Sequence, residues 1–274
     1  MKKPVITTVA AVCLALLTAV LSALHAAEIV QGVRNGAPGQ ASLTSGEQLL
    51  TQCGAVSVEA AQRRVDASRE SYRETVAAEN VRQTIEDEIT QIERGELTYR
   101  EVFREVYICG DSLMCGLDVV GLINGRHLIA KVSANLTHLE DNLDRLIRAK
   151  PRVLILHYGV NAVASNEPAA QRFIKRYGED IEKIRAGSPH TRIIVSLLFP
   201  VDETIATKPR FTWVGRFNEL LVEMCDEKGL EYLDTTPLLR EHTEFYTAAG
   251  IHQDKKFYSQ YWFPYIMREK EIYA

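Results

Sequence analysis

Two apolar runs constrain the fold of this 274-residue chain more than anything else in it: Val153-Leu-Ile-Leu156 and Ile193-Ile-Val-Ser-Leu-Leu198. A strand with one face in water alternates apolar and polar residues, whereas a strand apolar throughout needs cover on both faces. From Gly95 onward such runs alternate with segments of helical spacing, the pattern of a parallel sheet flanked by helices. Strands are expected at 105–109, 127–132, 153–158, 192–198 and 231–233, and helices at 112–123, 136–149, 168–186, 212–228 and 256–269. The expected fold class is α/β, a three-layer α/β/α sandwich with a central parallel sheet of about five strands. Ligands bind such sheets beyond the carboxyl ends of the strands. Ser112, Ser133 and Asn161 all follow expected strands and fall at that edge. Apolar content of 46% and charged content of 25% exclude disorder throughout, and a net charge of -4 argues against nucleic acid as a partner.

The first 98 residues are organised differently. Lys2 and Lys3 precede a run from position 4 to 27 without Asp, Glu, Lys or Arg. Residues 1–30 are expected to be a signal peptide or an N-terminal membrane anchor. The run reaches the ~20 residues that span a bilayer. Leu24-His25-Ala26 puts Leu where a cleavage site needs a small residue, which favours the anchor. In both readings the lysines stay inside and the remainder is exported, with the membrane as a partner of this segment. Residues 31–56 are expected to be a linker, and 57–98 a helical extension preceding an α/β domain at 99–274. Val58, Ala61, Val65, Tyr72, Val76, Val81, Ile85, Ile89 and Ile92 mark an amphipathic helix, bent or split near 77–80. It would serve as a spacer off the membrane, as a surface for self-association (57–94), or as a helix laid on its own domain.

The stretch Val106-Tyr-Ile-Cys-Gly-Asp-Ser-Leu-Met-Cys-Gly-Leu117 carries the chemistry. Gly110 permits a sharp turn after the strand, and Asp111-Ser112 sit where the chain leaves the sheet. A following helix N-terminus would offer N–H groups to an oxyanion at Ser112. Alternatively, Asp111 or Ser112 caps that helix. Cys109 and Cys115 flank Ser112 and are either a disulfide or two small packing residues; no Cys/His spacing suggests zinc, and no metal or cofactor is expected. A serine needs a base, and histidine suits that task. His157 lies inside an apolar strand, as core or support, while His252 lies in a loop after Gly250.

Gly110-Asp111-Ser112-Leu113, Gly159-Val160-Asn161 and Gly250-Ile251-His252 occur in order. In this set the chain resembles the SGNH, or GDSL, hydrolase family over roughly residues 95 to 270. The resemblance implies a flavodoxin-like hydrolase fold, Ser112 as nucleophile and His252 as base. It implies an oxyanion hole from the Ser112 amide, the amide at the family's glycine position, here Ser133, and the Asn161 side chain. Gly110, Asp111 and Gly159 support these groups.

The sequence departs from the family at Ala249, where an Asp three residues before the histidine would orient the ring. Either a Ser112–His252 dyad operates alone, or Asp254 or Glu244 substitutes, or the site is silent. The resemblance implies removal of acyl groups, acetyl foremost, from a small-molecule or glycan ester, and export makes an envelope carbohydrate the reasonable class. The loop at 200–212, Asn135, Val163, Arg210, Trp213 and Tyr158 are candidate substrate contacts. Two other readings are a catalytically weak or inactive glycan-binding module and a membrane-anchored envelope scaffold.

Overall fold

The computed structural model describes residues 58–163 and 166–274. The expected leader at 1–30 and linker at 31–56, with Cys13, His25 and Cys53, lie outside the described residues. Among the described residues no helix is long and apolar enough to cross a membrane. The chain divides into two compact units, the second running from Thr75 to Ala274. The described part of the first, 58–74, is helical.

In chain order the elements are α1 (Val58–Glu93), α2 (Tyr99–Val102), β1 (Val106–Gly110), β2 (Leu128–Ala130), α3 (Leu136–Glu140), α4 (Leu143–Ala149), β3 (Val153–His157) and α5 (Glu167–Gly187). There follow β4 (Arg192–Ser196), α6 (Glu203–Ala206), α7 (Val214–Lys228), β5 (Glu231–Leu233), α8 (Thr236–Glu241), α9 (Lys255–Phe257) and α10 (Phe263–Glu269). The sheet order is β2-β1-β3-β4-β5, and every neighbouring pair is parallel.

Side chains of the sheet feed two cores. Val106, Ile108, Val153 and Ile155 face one, with Phe103, Trp262, Phe263 and Ile266. Cys109, Leu154, Leu156 and Val195 face the other, against Leu139 of α3, Tyr177, Ile181 and Ile184 of α5, and Phe217 and Leu221 of α7. Every residue of β3 is buried, as a strand covered on both faces requires. Within the second unit Ile85 and Ile89 of α1 enter the first core, with Val81 and Ile92 packed against it. That stripe at four- and three-residue steps lays this part of the helix on its own domain. Arg268 donates to the Glu86 carboxylate at 2.6 and 2.8 Å.

Several expected elements differ. The helix is not split near 77–80; α1 runs through, and neither Gly nor Pro interrupts it. The helix expected at 112–123 is instead a series of turns. Met114 and Cys115 donate their amides to the carbonyls of Asp111 and Ser112, at 3.1 and 3.3 Å. Gly116 (φ 91°) and Gly121 (φ 84°) then take left-handed conformations that end any helix. The expected helix at 136–149 is broken between α3 and α4, where Asn142 donates its side-chain amide to the His138 carbonyl at 2.8 Å. The last helix carries a π turn, Tyr258–Trp262. Pro264 has no N–H for the α-helical ladder, so the turn widens before it. Short α2 follows from its cap: Thr98 and Glu101 bond each other's backbone N–H.

Strand order reverses between β1 and β3, the place where open parallel sheets hold ligands. Gly110 is level with Ala130 of β2 and His157 of β3. The loops that carry Ser112, Ser133 and Asn161 therefore leave the sheet side by side.

Candidate active site

Gly110 has no room for a side chain. A Cβ there would lie 2.8 Å from the His157 carbonyl oxygen and 2.6 Å from Met114 Cγ. Only glycine lets β1 pass this close to β3 while the chain turns. Asp111 is buried, and its Oδ1 accepts the Leu113 amide at 3.1 Å. This Asx turn sets Ser112 between them, half-buried at the sheet edge. Asp111 therefore closes a turn and does not cap a helix. No α-helix N-terminus stands behind Ser112.

His252 is brought to Ser112 from 140 residues away, with Nε2 3.0 Å from Ser112 Oγ. A tight loop presents the ring. The Gly250 amide donates to the Thr247 carbonyl and the Thr247 amide to the His252 carbonyl, both at 2.8 Å. Gly250 has φ 69°, and its carbonyl accepts the Asp202 amide at 2.8 Å. One buried hydroxyl joins this loop to the serine turn: Tyr258 donates to the Leu113 carbonyl at 2.7 Å and lies 3.4 Å from Gln253 Oε1. The sequence signal for that link was thin, a tyrosine six residues past the histidine.

Asn161 follows Gly159, whose φ of 139° excludes other residues. A Cβ there would meet Leu198 Cδ2 at 2.8 Å and Phe217 Cε1 at 3.1 Å. Asn161 donates one side-chain N–H to the Ala134 carbonyl at 3.1 Å, which ties the end of β3 to the loop after β2. A primary amide retains a second N–H for a ligand. Ser133 is exposed, with φ 61°. The position where the family has glycine thus keeps a left-handed backbone although a serine occupies it. Arg210 donates its guanidinium to the Val160 carbonyl.

The two acids offered as substitutes are engaged elsewhere. Asp254 caps α9, accepting the amides of Lys256 and Phe257 at 2.7 and 3.1 Å. Glu244 lies 3.2 Å from His242 Nδ1. Among the described residues no carboxylate pairs with the His252 ring, and Ala249 is exposed. Cys109 and Cys115 are free thiols, not a disulfide. Tyr158 is fully buried, its hydroxyl 2.8 Å from His138 Nδ1, so it is a core residue and not a sugar contact. Trp213 is half-buried against the second core.

Two buried ionisable groups flank the site. Burial pushes the Asp111 carboxyl up to about 7, against the amides of Leu113, Asp111 and Val160, which favour its charge. Its Oδ2 has no hydrogen-bond partner. Burial pushes the His157 imidazole down to about 3. Its Nδ1 lies 2.9 Å from Ser196 Oγ and its ring packs at a tilt against Phe199, 4.6 Å between centroids, so it belongs to the core. Among the described residues no group of His, Cys, Asp and Glu is placed to hold a metal ion.

The family model described as "GDSL-like Lipase/Acylhydrolase family" matches residues 108–258. No curated protein sequence matches the chain. Similar solved structures include the acetyl xylan esterase AlAXEase, 14% identical, covering 60% of this chain and 98% of that one with a TM-score of 0.47. A lipase/acylhydrolase from Enterococcus faecalis is 16% identical, covering 61% and 94%, with a TM-score of 0.47. Axe2, an acetylxylan esterase from Geobacillus stearothermophilus, is 13% identical, covering 60% and 92%, with a TM-score of 0.45.

Proposed function

The chain belongs to the GDSL-like lipase/acylhydrolase family, and on that premise we propose that it is an exported serine esterase that removes acetyl groups from an acylated envelope carbohydrate. The observation that carries this reading is the 3.0 Å contact between Ser112 Oγ and His252 Nε2 at the switch point of the sheet. Serine and base are within reach of proton transfer before any substrate arrives.

Ser112 Oγ attacks the ester carbonyl as its proton moves to His252 Nε2. The amides of Ser112 and Ser133, with the remaining Asn161 N–H, hold the oxyanion. Collapse breaks the ester C–O bond, and His252 returns the proton to the departing sugar hydroxyl. Water then attacks the acyl-serine, His252 takes its proton, and release of the carboxylic acid restores Ser112. Residues 1–30 keep the enzyme outside the cytoplasm, as a cleaved leader or an anchor. The test is hydrolysis of 4-nitrophenyl acetate by the protein and by Ser112→Ala. Turnover that disappears in the variant supports the reading; equal turnover, or none by folded protein, overturns it.

A second reading has one specific support. On this reading, Ala249 and the lack, among the described residues, of a carboxylate at the His252 ring make the site a silent glycan-binding module. Glycan binding by a folded protein without ester turnover is its signature.

A further inference from the structure

Beside the Asn161 turn lies a cleft of about 630 Å³. Its wall comprises Asn135 from the loop after β2, Leu136 at the start of α3, Ala162 after β3, and Ala169, Phe173 and a row of charged residues on α5. Asn135 and Ala162 are near neighbours in sequence of Ser133 and Asn161, and the Asn161–Ala134 hydrogen bond holds their two loops together. The cleft therefore adjoins the two loops that carry Ser133 and Asn161, on the side toward α5.

Its charge is uneven. Arg172, Lys175 and Arg176 line it against a single acid, Glu179. Arg176 is consumed by the Glu140 carboxylate and by Thr137 Oγ1 at 3.2 Å. Lys175 is held loosely, 4.0 Å from Glu179. Arg172 is exposed and has no ion pair among the described residues. On a chain of net charge -4, this leaves local cationic capacity beside an apolar floor of Leu136, Ala162, Ala169 and Phe173. Asn135 accepts the Thr137 amide through Oδ1 at 2.9 Å, which leaves its side-chain N–H groups for a ligand.

We infer that this cleft is an anionic-sugar subsite: Arg172 and Lys175 take the carboxylate of a uronic acid residue adjacent to the acylated one, and the half-buried Phe173 takes the ring's apolar face. The inference rests on the esterase reading and narrows its substrate to esters of acidic glycans. A guanidinium matches a carboxylate in two-point geometry, and exposed cations at a cleft mouth act through attraction that salt screens.

The test uses the full protein and unacetylated probes, so that binding is measured apart from turnover. Titration calorimetry compares trigalacturonate with xylotriose at low salt and at about 0.3 M salt. Trigalacturonate is expected to bind at least about tenfold tighter than xylotriose, with the advantage shrinking in salt. Arg172→Gln with Lys175→Gln removes the advantage and leaves 4-nitrophenyl acetate hydrolysis unchanged. Equal binding of the two trimers, or an undiminished preference in the variant, overturns the subsite. Hydrolysis of the aryl acetate without uronate preference leaves the esterase and removes the subsite. Uronate preference without any hydrolysis does the reverse.

Discussion

Asp111→Asn is expected to remove a large pH-dependent penalty from the folded state. The carboxyl ionises at about 7 in the folded protein and at about 3.9 in an unfolded chain. Below about pH 4 both states hold the proton, and the group contributes nothing to the pH dependence. Between about pH 4 and pH 7 the unfolded chain releases its proton while the folded one retains it, so stability falls as pH rises. Above about pH 7 both are ionised and the loss is complete. About three pH units at 1.36 kcal/mol each give on the order of 4 kcal/mol, a large share of a typical stability of about 5–15 kcal/mol. The assay is urea unfolding of both proteins from pH 4 to pH 8. Asparagine keeps an oxygen for the Leu113 amide but places an NH₂ where Oδ2 had no partner, a cost that does not change with pH. The informative quantity is therefore the change in the stability difference across that range. It should move by about 2–4 kcal/mol in favour of the variant. Parallel curves, within about 0.5 kcal/mol, would refute the claim that burial holds Asp111 protonated.

Four further outcomes are expected. His157 is held neutral by burial down to about pH 3, whereas an unfolded His takes its proton near 6.5, so stability falls as pH drops through that window; His157→Gln should flatten this acid limb in the same unfolding assay. Ser133→Gly should stabilise by about 0.5–1 kcal/mol in chemical denaturation, since relief of a left-handed serine (about 1–2 kcal/mol) outweighs added chain entropy. Gly159→Ala should destabilise by about 2–4 kcal/mol, because φ 139° and a methyl 2.8 Å from the buried Leu198 side chain must both be accommodated. Ala249→Asp should raise kcat on 4-nitrophenyl acetate by at least about tenfold; an unchanged kcat in a folded variant would show that the ring gains nothing from an acid at that position.

Much of the sheet was legible because the signals are local. Val153–Leu156 within β3 and Ile193–Val195 within β4 are unbroken apolar runs, and Glu231–Leu233 sits between a helix-ending glycine and a turn. The helix expected after Ser112 gives way to turns for an equally local reason. Leu113, Met114 and Leu117 have helical spacing, but they are buried from successive turns, and Gly116 and Gly121 carry the decisive backbone information. Hydrophobic period reports which side chains face the core and not which backbone takes them there. The site's serine, histidine and asparagine were legible as an ordered set. The cleft along α5 was not, since Arg172 and Lys175 look like any solvated helix face until the loop after β2 is seen against it.

Among the described residues no acid stands at His252, and this separates two tasks that one residue usually combines. An acid beside the ring fixes its orientation and also stabilises its charge when it takes the serine proton. The backbone that carries the ring is held without a carboxylate. The His252 carbonyl is tied to Thr247, the Gly250 carbonyl to Asp202, and Tyr258 fastens the loop to the carbonyl of Leu113, one residue from the nucleophile. Charge stabilisation has no such substitute among the described residues, and Asp111, the nearest carboxyl in sequence to Ser112, is held neutral through much of the range below about 7. The geometry therefore favours the ground-state contact at 3.0 Å more than the ion pair that must follow it. Such a site turns over best when the leaving alcohol needs little proton assistance, so aryl acetates should be hydrolysed faster, by kcat, than acetates of ordinary alcohols.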